Sequence, residues 1–233
     1  MTASEPSRAS VHVWTVRTDV AGAPAVDDEL GVLSSHERAR ADTMTDDAAR
    51  RDFVVAHALV RRALSRHAAG CPPERWAFDE DEVGRPFLVG PAGGVDLRFS
   101  LSHASGVVAC AIATGVDCGV DVEPVEATGP RRRVLTPEEV AVLDAEPAAA
   151  AARYAQYWTV KEAYGKARGL GFLLPFDELH VMLGPPPRLD DRRQPPDGGS
   201  WHVELWSPTP RHAAALAVLT DRPTVVHHCD YPV

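Results

Sequence analysis

Two seven-residue runs of small apolar residues, Val108-Ala-Cys-Ala-Ile-Ala-Thr114 and Ala214-Ala-Leu-Ala-Val-Leu-Thr220, recur about one hundred residues apart. Each reads as a short strand, and each follows a long helical pattern at nearly the same offset: Asp46 to Ala69 before the first, Ala149 to Arg168 before the second. The first of these helices carries Phe53, Ala56, His57, Val60, Ala63 and Leu64 at helical spacing and is stopped by Gly70-Cys-Pro-Pro. The second ends at Gly169. A duplicated arrangement is therefore expected, and 233 residues suit one globule built from two similar halves. Strands and helices mix without strict β-α-β alternation, which points to an α+β fold.

The remaining elements follow from local pattern. Val11 to Arg17 alternates like a strand, and Asp27 to Asp42 reads as one helix. Short strands are expected near Trp76 and Phe87, over Val95 to Leu101, over Val107 to Thr114 and over Cys118 to Glu123. Thr136-Pro-Glu-Glu139 combines a cap residue, a proline at the first helical position and a glutamate three after the cap, which starts a helix. Strands are expected over Leu179 to Leu183, Trp201 to Trp206, Ala213 to Leu219 and Thr224 to His228. The Pro-, Gly- and charge-rich stretch from Gly184 to Ser200 reads as a mobile loop.

Composition removes several classes of function. A net charge of −9 argues against nucleic acid and anionic membrane as partners. No stretch reaches the ~18 apolar residues of a membrane span, and the opening MTASEPSRAS lacks the basic and apolar regions of a secretory signal. Cys71, Cys110, Cys118 and Cys229 form no C-x-x-C pair, so reduced thiols in a cytoplasmic protein are expected. No GxSxG elbow, HExxH or GxxxxGK[ST] loop is present, which removes the commonest hydrolase and nucleotide-triphosphatase readings. His227-His228-Cys229 reads as an incidental cluster, and Arg131-Arg-Arg133 as a solvated loop or a docking patch for an acidic protein.

Three segments carry chemistry. In Gly119-Val-Asp-Val-Glu-Pro124, Asp121 and Glu123 share one face of a strand while Val120 and Val122 turn to the core. Two carboxylates on one face repel; either the strand end is solvated or a divalent cation compensates them. In Trp158-Thr-Val-Lys-Glu-Ala-Tyr-Gly-Lys166, Trp158, Glu162 and Lys166 are spaced by single helical turns, either as a surface ion pair or as the edge of a cleft, with Tyr157 beside it. Arg98-Phe-Ser-Leu-Ser-His-Ala-Ser-Gly106 ends a strand in hydroxyls, an imidazole and a glycine, the chemistry of an anion-holding turn, and Gly84-Arg-Pro places an arginine in a turn upstream.

In this order and separation the segments resemble the Sfp-type 4′-phosphopantetheinyl transferases. The resemblance runs from about Ser34 to Leu179, carried by Gly84-Arg-Pro, Phe99-Ser-Leu-Ser-His103, GVDVEP, WTVKEAYGK and Gly169-Leu-Gly-Phe-Leu-Leu-Pro175. It implies a pseudo-dimer of two α+β halves, 1–117 and 118–233, with the active site at their junction, in a monomer. It implies transfer of the 4′-phosphopantetheine arm of coenzyme A to a serine of an acyl or peptidyl carrier protein, leaving 3′,5′-ADP and requiring Mg2+, with Mn2+ as a substitute. Asp121, Glu123 and Glu162 would hold the metal. Glu162 would accept the serine proton, directly or through a metal-bound water, and Lys166 would meet the leaving phosphate. Lys161 would support the site or the substrate arm. Arg85, Ser102 and His103 would lie near the nucleotide phosphates. Arg40 and Arg51 are the expected holders of the 3′-phosphate, with Arg38 close by; Glu37 departs from the family by standing where a lysine is common. Two rival classes use the same residues: a magnesium-dependent nucleotide phosphohydrolase, and a non-catalytic module binding coenzyme A or a carrier.

Overall fold

A computed structural model describes residues 8–68, 70–90, 95–125, 132–193 and 200–232. Five α-helices and eleven strands occur in these segments: β1 (Ala9–Arg17), α1 (Val26–Leu30), α2 (Ser35–Asp42), α3 (Asp47–His67), β2 (Ala77–Glu80), β3 (Pro86–Gly90), β4 (Leu97–Ala104), β5 (Val107–Thr114), β6 (Cys118–Pro124), α4 (Pro137–Ala145), α5 (Ala150–Arg168), β7 (Leu179–Met182), β8 (Arg188–Asp191), β9 (Ser200–Thr209), β10 (His212–Thr220) and β11 (Thr224–Cys229). The fold is α+β. One sheet has the order β11-β1-β5-β4 and a second β6-β10-β9, with hairpins β2-β3 and β7-β8 at the periphery.

The two runs that opened the sequence reading are β5 and β10, and both are interior strands of their sheets. Because each is covered on both faces, neither shows polar alternation. One face of β5 joins Trp14 and Val16 of β1 in packing on Val55, Leu59, Ala63 and Leu64 of α3. The opposite face, with Ala109 and Ala111, meets Val120 and Val122 of β6 and Leu216 and Val218 of β10 in a shared inner core. Ala215 and Ala217 then turn outward onto Tyr157, Val160 and Tyr164 of α5. The order of layers is α3, first sheet, second sheet, α5.

Between the sheets, strands β4 and β6 lie side by side without a ladder. The hydroxyl oxygens of Ser100 and Ser102 accept the backbone N–H groups of Val120 at 2.9 Å and Val122 at 3.3 Å. Side-chain oxygens on alternate residues of β4 thus stand where strand carbonyls would. Strand β6 also presses its backbone onto α5. A Cβ at Gly119 would come within 2.0 Å of the Ala163 carbonyl oxygen and 2.6 Å of the Ala167 nitrogen, so only glycine fits.

Two expectations change. The helix expected over Asp27 to Asp42 is two, α1 and α2. The break falls at Ser34, which accepts the Glu37 N–H while the Glu37 carboxylate accepts the Ser34 N–H, a complete capping box that starts a new helix. Within Gly184 to Ser200, Arg188 to Asp191 pairs with β7 as a strand; 194–199 lie outside the described residues. Dividing the chain at 117/118 remains our proposal, with the qualification that β11 returns to pair in parallel with β1 of the first sheet.

Gly119→Ala should lower stability by about 3 kcal/mol or more, because a helix backbone rather than a flexible side chain must move. Gly165→Ala, where an added Cβ meets the movable Leu174 Cδ1 at 3.1 Å, should change it by about 1 kcal/mol or less. Thermal denaturation of both variants checks the contrast; equal midpoints would refute the close approach.

Candidate active site at the junction of the sheets

The close approach at Gly119 sets β6 against the face of α5 that carries Trp158, Glu162 and Lys166. Lys166 Nζ donates to Asp121 Oδ1 at 2.7 Å and to the carbonyls of Val120 and Leu101 at 3.2 and 3.4 Å. Trp158 Nε1 donates to Glu123 Oε1 at 3.0 Å. Ser102 donates its hydroxyl proton to the same Asp121 oxygen at 2.8 Å. Asp121 is therefore buried, with one oxygen doubly bonded and the other, Oδ2, without a partner among the described residues. Glu162 Oε1 is likewise buried and unpartnered.

These orphaned oxygens matter energetically, since a buried acceptor left unpaired costs on the order of 1–3 kcal/mol. Burial first, and then the charge of Asp121, push both the Glu123 and the Glu162 carboxyl up to about 7. Lys166 opposes the shift at both. The set is thus rich in hard oxygen donors and short of positive charge, which suits a divalent cation chemically. The donors are not preassembled: among the described residues no three His, Cys, Asp or Glu groups already converge on one point.

Beside this cluster lies a cavity of about 780 Å³ lined by Phe53, Trp76, Phe78, Phe99 and Leu101, by Arg40, His57 and Arg75, and by Glu74, Asp79 and Glu80. Strand β4 connects the two, with Phe99 and Leu101 at the cavity and Ser102 at Asp121. His103 stands between them. Burial lowers its pKa, Asp52 opposes that, and the proximity of His57, Lys166 and Arg40 lowers it further, although the residue as a whole is exposed.

The sequence-expected residues divide accordingly. Asp121, Glu123, Glu162 and Lys166 come together, and Arg40 reaches the cavity, with its guanidinium 5.3 Å from the Phe53 ring centre. Arg51 does not line that cavity. Arg85 also stays outside, against Gly169 and paired with Asp117 at 3.3 Å. Ser102 spends its proton on Asp121 rather than holding it free for a phosphate. Tyr157 packs into the core on another face of α5, away from Trp158. Arg131 lies outside the described residues.

Of the two roles expected of Lys161, contact with the substrate arm requires a correction and support of the site remains. Instead of facing a ligand Lys161 is fully buried, and its ammonium donates to Glu139 at 2.6 Å, the Phe176 carbonyl at 2.8 Å and the Val134 carbonyl at 2.9 Å. All three donors are used. Glu139 in turn accepts the backbone N–H groups of Thr136 and Val181. The pair fastens α4, α5 and β7 together behind the site. Sequence reasoning also passed over the cavity's Arg61, His57 and aromatic floor; a buried arginine in an amphipathic helix, aligned with Glu37, was the available signal.

Residues 117–218 match the family model of the 4′-phosphopantetheinyl transferase superfamily. The chain is 30% identical over 180 residues to the 4′-phosphopantetheinyl transferase HetI of Nostoc sp., spanning 75% of each protein. The chain belongs to the 4′-phosphopantetheinyl transferase superfamily. A second member, the 4′-phosphopantetheinyl transferase of Bacillus subtilis, is 29% identical over 133 residues, which is 56% of this chain and 57% of that one. The holo-[acyl-carrier-protein] synthase of Thermotoga maritima aligns with 46% of this transferase and 64% of its own chain, at 27% identity and a TM-score of 0.37. Among the described residues of the transferase no helix is long and apolar enough to cross a membrane.

Removing one partner of the buried pair should be costly. Lys161→Met should cost the transferase about 3–5 kcal/mol, because the Glu139 carboxylate is left uncompensated. Adding Glu139→Leu should recover much of that loss. Urea denaturation of the single and double variants tests this; a single variant as stable as the parent would refute the structural role.

Proposed function

We propose that this transferase moves the 4′-phosphopantetheine arm of coenzyme A onto a serine of an acyl or peptidyl carrier protein, with magnesium, releasing 3′,5′-ADP. The observation that carries the reading is the junction cluster. Two buried carboxylate oxygens, Asp121 Oδ2 and Glu162 Oε1, are unpartnered among the described residues, and they stand next to Lys166, beside a cavity lined by aromatic side chains and by Arg40 and Arg75.

In this reading Asp121, Glu123 and Glu162 hold the magnesium, which would supply positive charge at the diphosphate. The chain's own residues do the rest. Ser102 and Lys166 fix the Asp121 carboxylate from two sides, and Trp158 fixes Glu123. The apolar floor at Phe78 and Phe99 takes the flat face of the nucleotide base, while Arg40 and Arg75 meet its phosphates. Lys166 neutralises charge on the leaving phosphate as the carrier serine attacks the phosphorus of the pantetheine phosphate. Glu162 accepts the serine proton. Positioning and charge, rather than covalent chemistry by the enzyme, account for the rate.

An apo carrier protein incubated with enzyme, coenzyme A and magnesium should gain the mass of one phosphopantetheine group in intact mass spectrometry. Release of phosphate from coenzyme A with no change in carrier mass would favour a phosphohydrolase instead.

The helix face allows a sharper test. In single-turnover transfer, Glu162→Gln should slow the reaction on the order of 10²-fold or more. Lys166→Ala should lower kcat more than it weakens coenzyme A binding. Parental rates in Glu162→Gln would reduce this helix face to an ion pair without catalytic consequence.

A further inference from the structure

Glu37 and His57 have no part in the transfer chemistry above, yet they are built into the cavity with unusual care. Glu37 is the third residue of α2 and is almost buried. Its Oε2 accepts the Ser34 N–H and the Arg61 guanidinium, each at 2.7 Å, and its Oε1 lies 2.9 Å from His57 Nδ1. Burial alone would raise this carboxyl, but the bonds from His57 and the Ser34 backbone, together with Arg61, bring it down to about 2. A carboxylate only accepts, so the hydrogen on the His57 ring sits at Nδ1. The Phe53 ring, 4.1 Å away centre to centre, holds the imidazole on one side. Nε2 is left, and none of the described residues is recorded as its hydrogen-bond partner.

Charge around the cavity decides what that nitrogen is for. Arg61, of α3, is neutralised by Glu37. Glu74, Asp79 and Glu80 bring three carboxylates to the turn and strand wall. Against them, Arg40 of α2 and Arg75 line the cavity with no carboxylate partner among the described residues, and His36 and His103 approach from α2 and β4. An anion entering here meets more acidic than free guanidinium groups. A neutral Nε2, which only accepts, adds lone-pair repulsion; a protonated one adds a donor and a charge, already balanced by Glu37 behind the ring.

We propose that Glu37 and His57 form a proton-linked anion receptor, in which a phosphate monoester entering this cavity draws one proton onto His57 Nε2 and Glu37 is the positioning residue. The proton comes from solvent, the new N–H donates to a phosphate oxygen, and no covalent bond changes. The proposal rests on the reading that this cavity takes the nucleotide end of coenzyme A.

The probe is 3′,5′-ADP, titrated into the full chain by calorimetry at about pH 7.5 and above, where both of its phosphate monoesters are almost wholly ionised. Repeating the titration in two buffers of unlike ionisation enthalpy counts protons. The parent should take up protons on binding, and its affinity should fall as pH rises from about 7.5 to 8.5. His57→Gln keeps a donor that does not titrate, so proton uptake should vanish and the affinity should become flat with pH. Glu37→Gln frees the ring tautomer and removes its counter-charge, so uptake should shrink and affinity should fall. His57→Gln is the informative variant should Glu37→Gln fold poorly, because His57 is partly exposed and gives up one bond. Binding to the parent without proton uptake overturns the receptor alone, as does uptake that survives His57→Gln but is lost in His103→Asn. No binding of 3′,5′-ADP to the parent overturns the nucleotide reading and the receptor with it.

Discussion

The contact between Gly119 and α5 is the constraint on which the rest depends. A strand backbone laid directly on a helix backbone brings β6 nearer to α5 than side chains would allow. At that spacing the next two outward residues of the strand, Asp121 and Glu123, fall within hydrogen-bond reach of Lys166 and Trp158, a single turn on either side of Glu162. A wider separation would leave the same carboxylates facing water, with no lysine at hand. The junction between the sheets is held in the same economical manner, by Ser100 and Ser102 oxygens bonding the backbone of β6.

Each half carries a matching fastener. In the first, a capping box at Ser34 presents Glu37 to buried Arg61 on the long helix α3. In the second, a capping box at Thr136 presents Glu139 to buried Lys161 on the long helix α5. Both carboxylates accept backbone N–H groups as well, so neither buried charge is left to a single partner. Together with the placement of β5 and β10 as interior strands, this correspondence supports the proposal of two similar halves. The halves differ in what the fastener faces: Arg61 and Glu37 back a cavity wall, whereas Lys161 and Glu139 are sealed inside.

Much of this was legible in the sequence, for identifiable reasons. The long helices, the capping box at Thr136 and the αL stop at Gly169, with φ of 64°, are local signals and fall where expected. Asp121, Glu123, Glu162 and Lys166 were legible because strand and helix periodicity fixes which residues share a face. What escaped depends on partners far along the chain. Nothing local tells that Lys161 points inward while its neighbour Glu162 reaches the site, since the answer lies in Glu139 and two carbonyls on other segments. Ser102 was read as a phosphate donor because its hydroxyl is chemically able; its actual acceptor is nineteen residues away on β6. Arg85 likewise pairs with a residue distant in the chain, Asp117.

The parallel pairing of β11 with β1 has a consequence for how the molecule is made. Val11, His12 and Val13 find their outer neighbours only in Val226, His227 and His228, at the far end of the chain. While synthesis proceeds, the first sheet has its hairpin partners β4 and β5 but keeps one open flank of unpaired amides and carbonyls, the kind of edge that recruits foreign strands. Closing that flank waits until β11 has left the ribosome. Strand β11 therefore works as a clasp, and a product stalled before it would be sticky along β1.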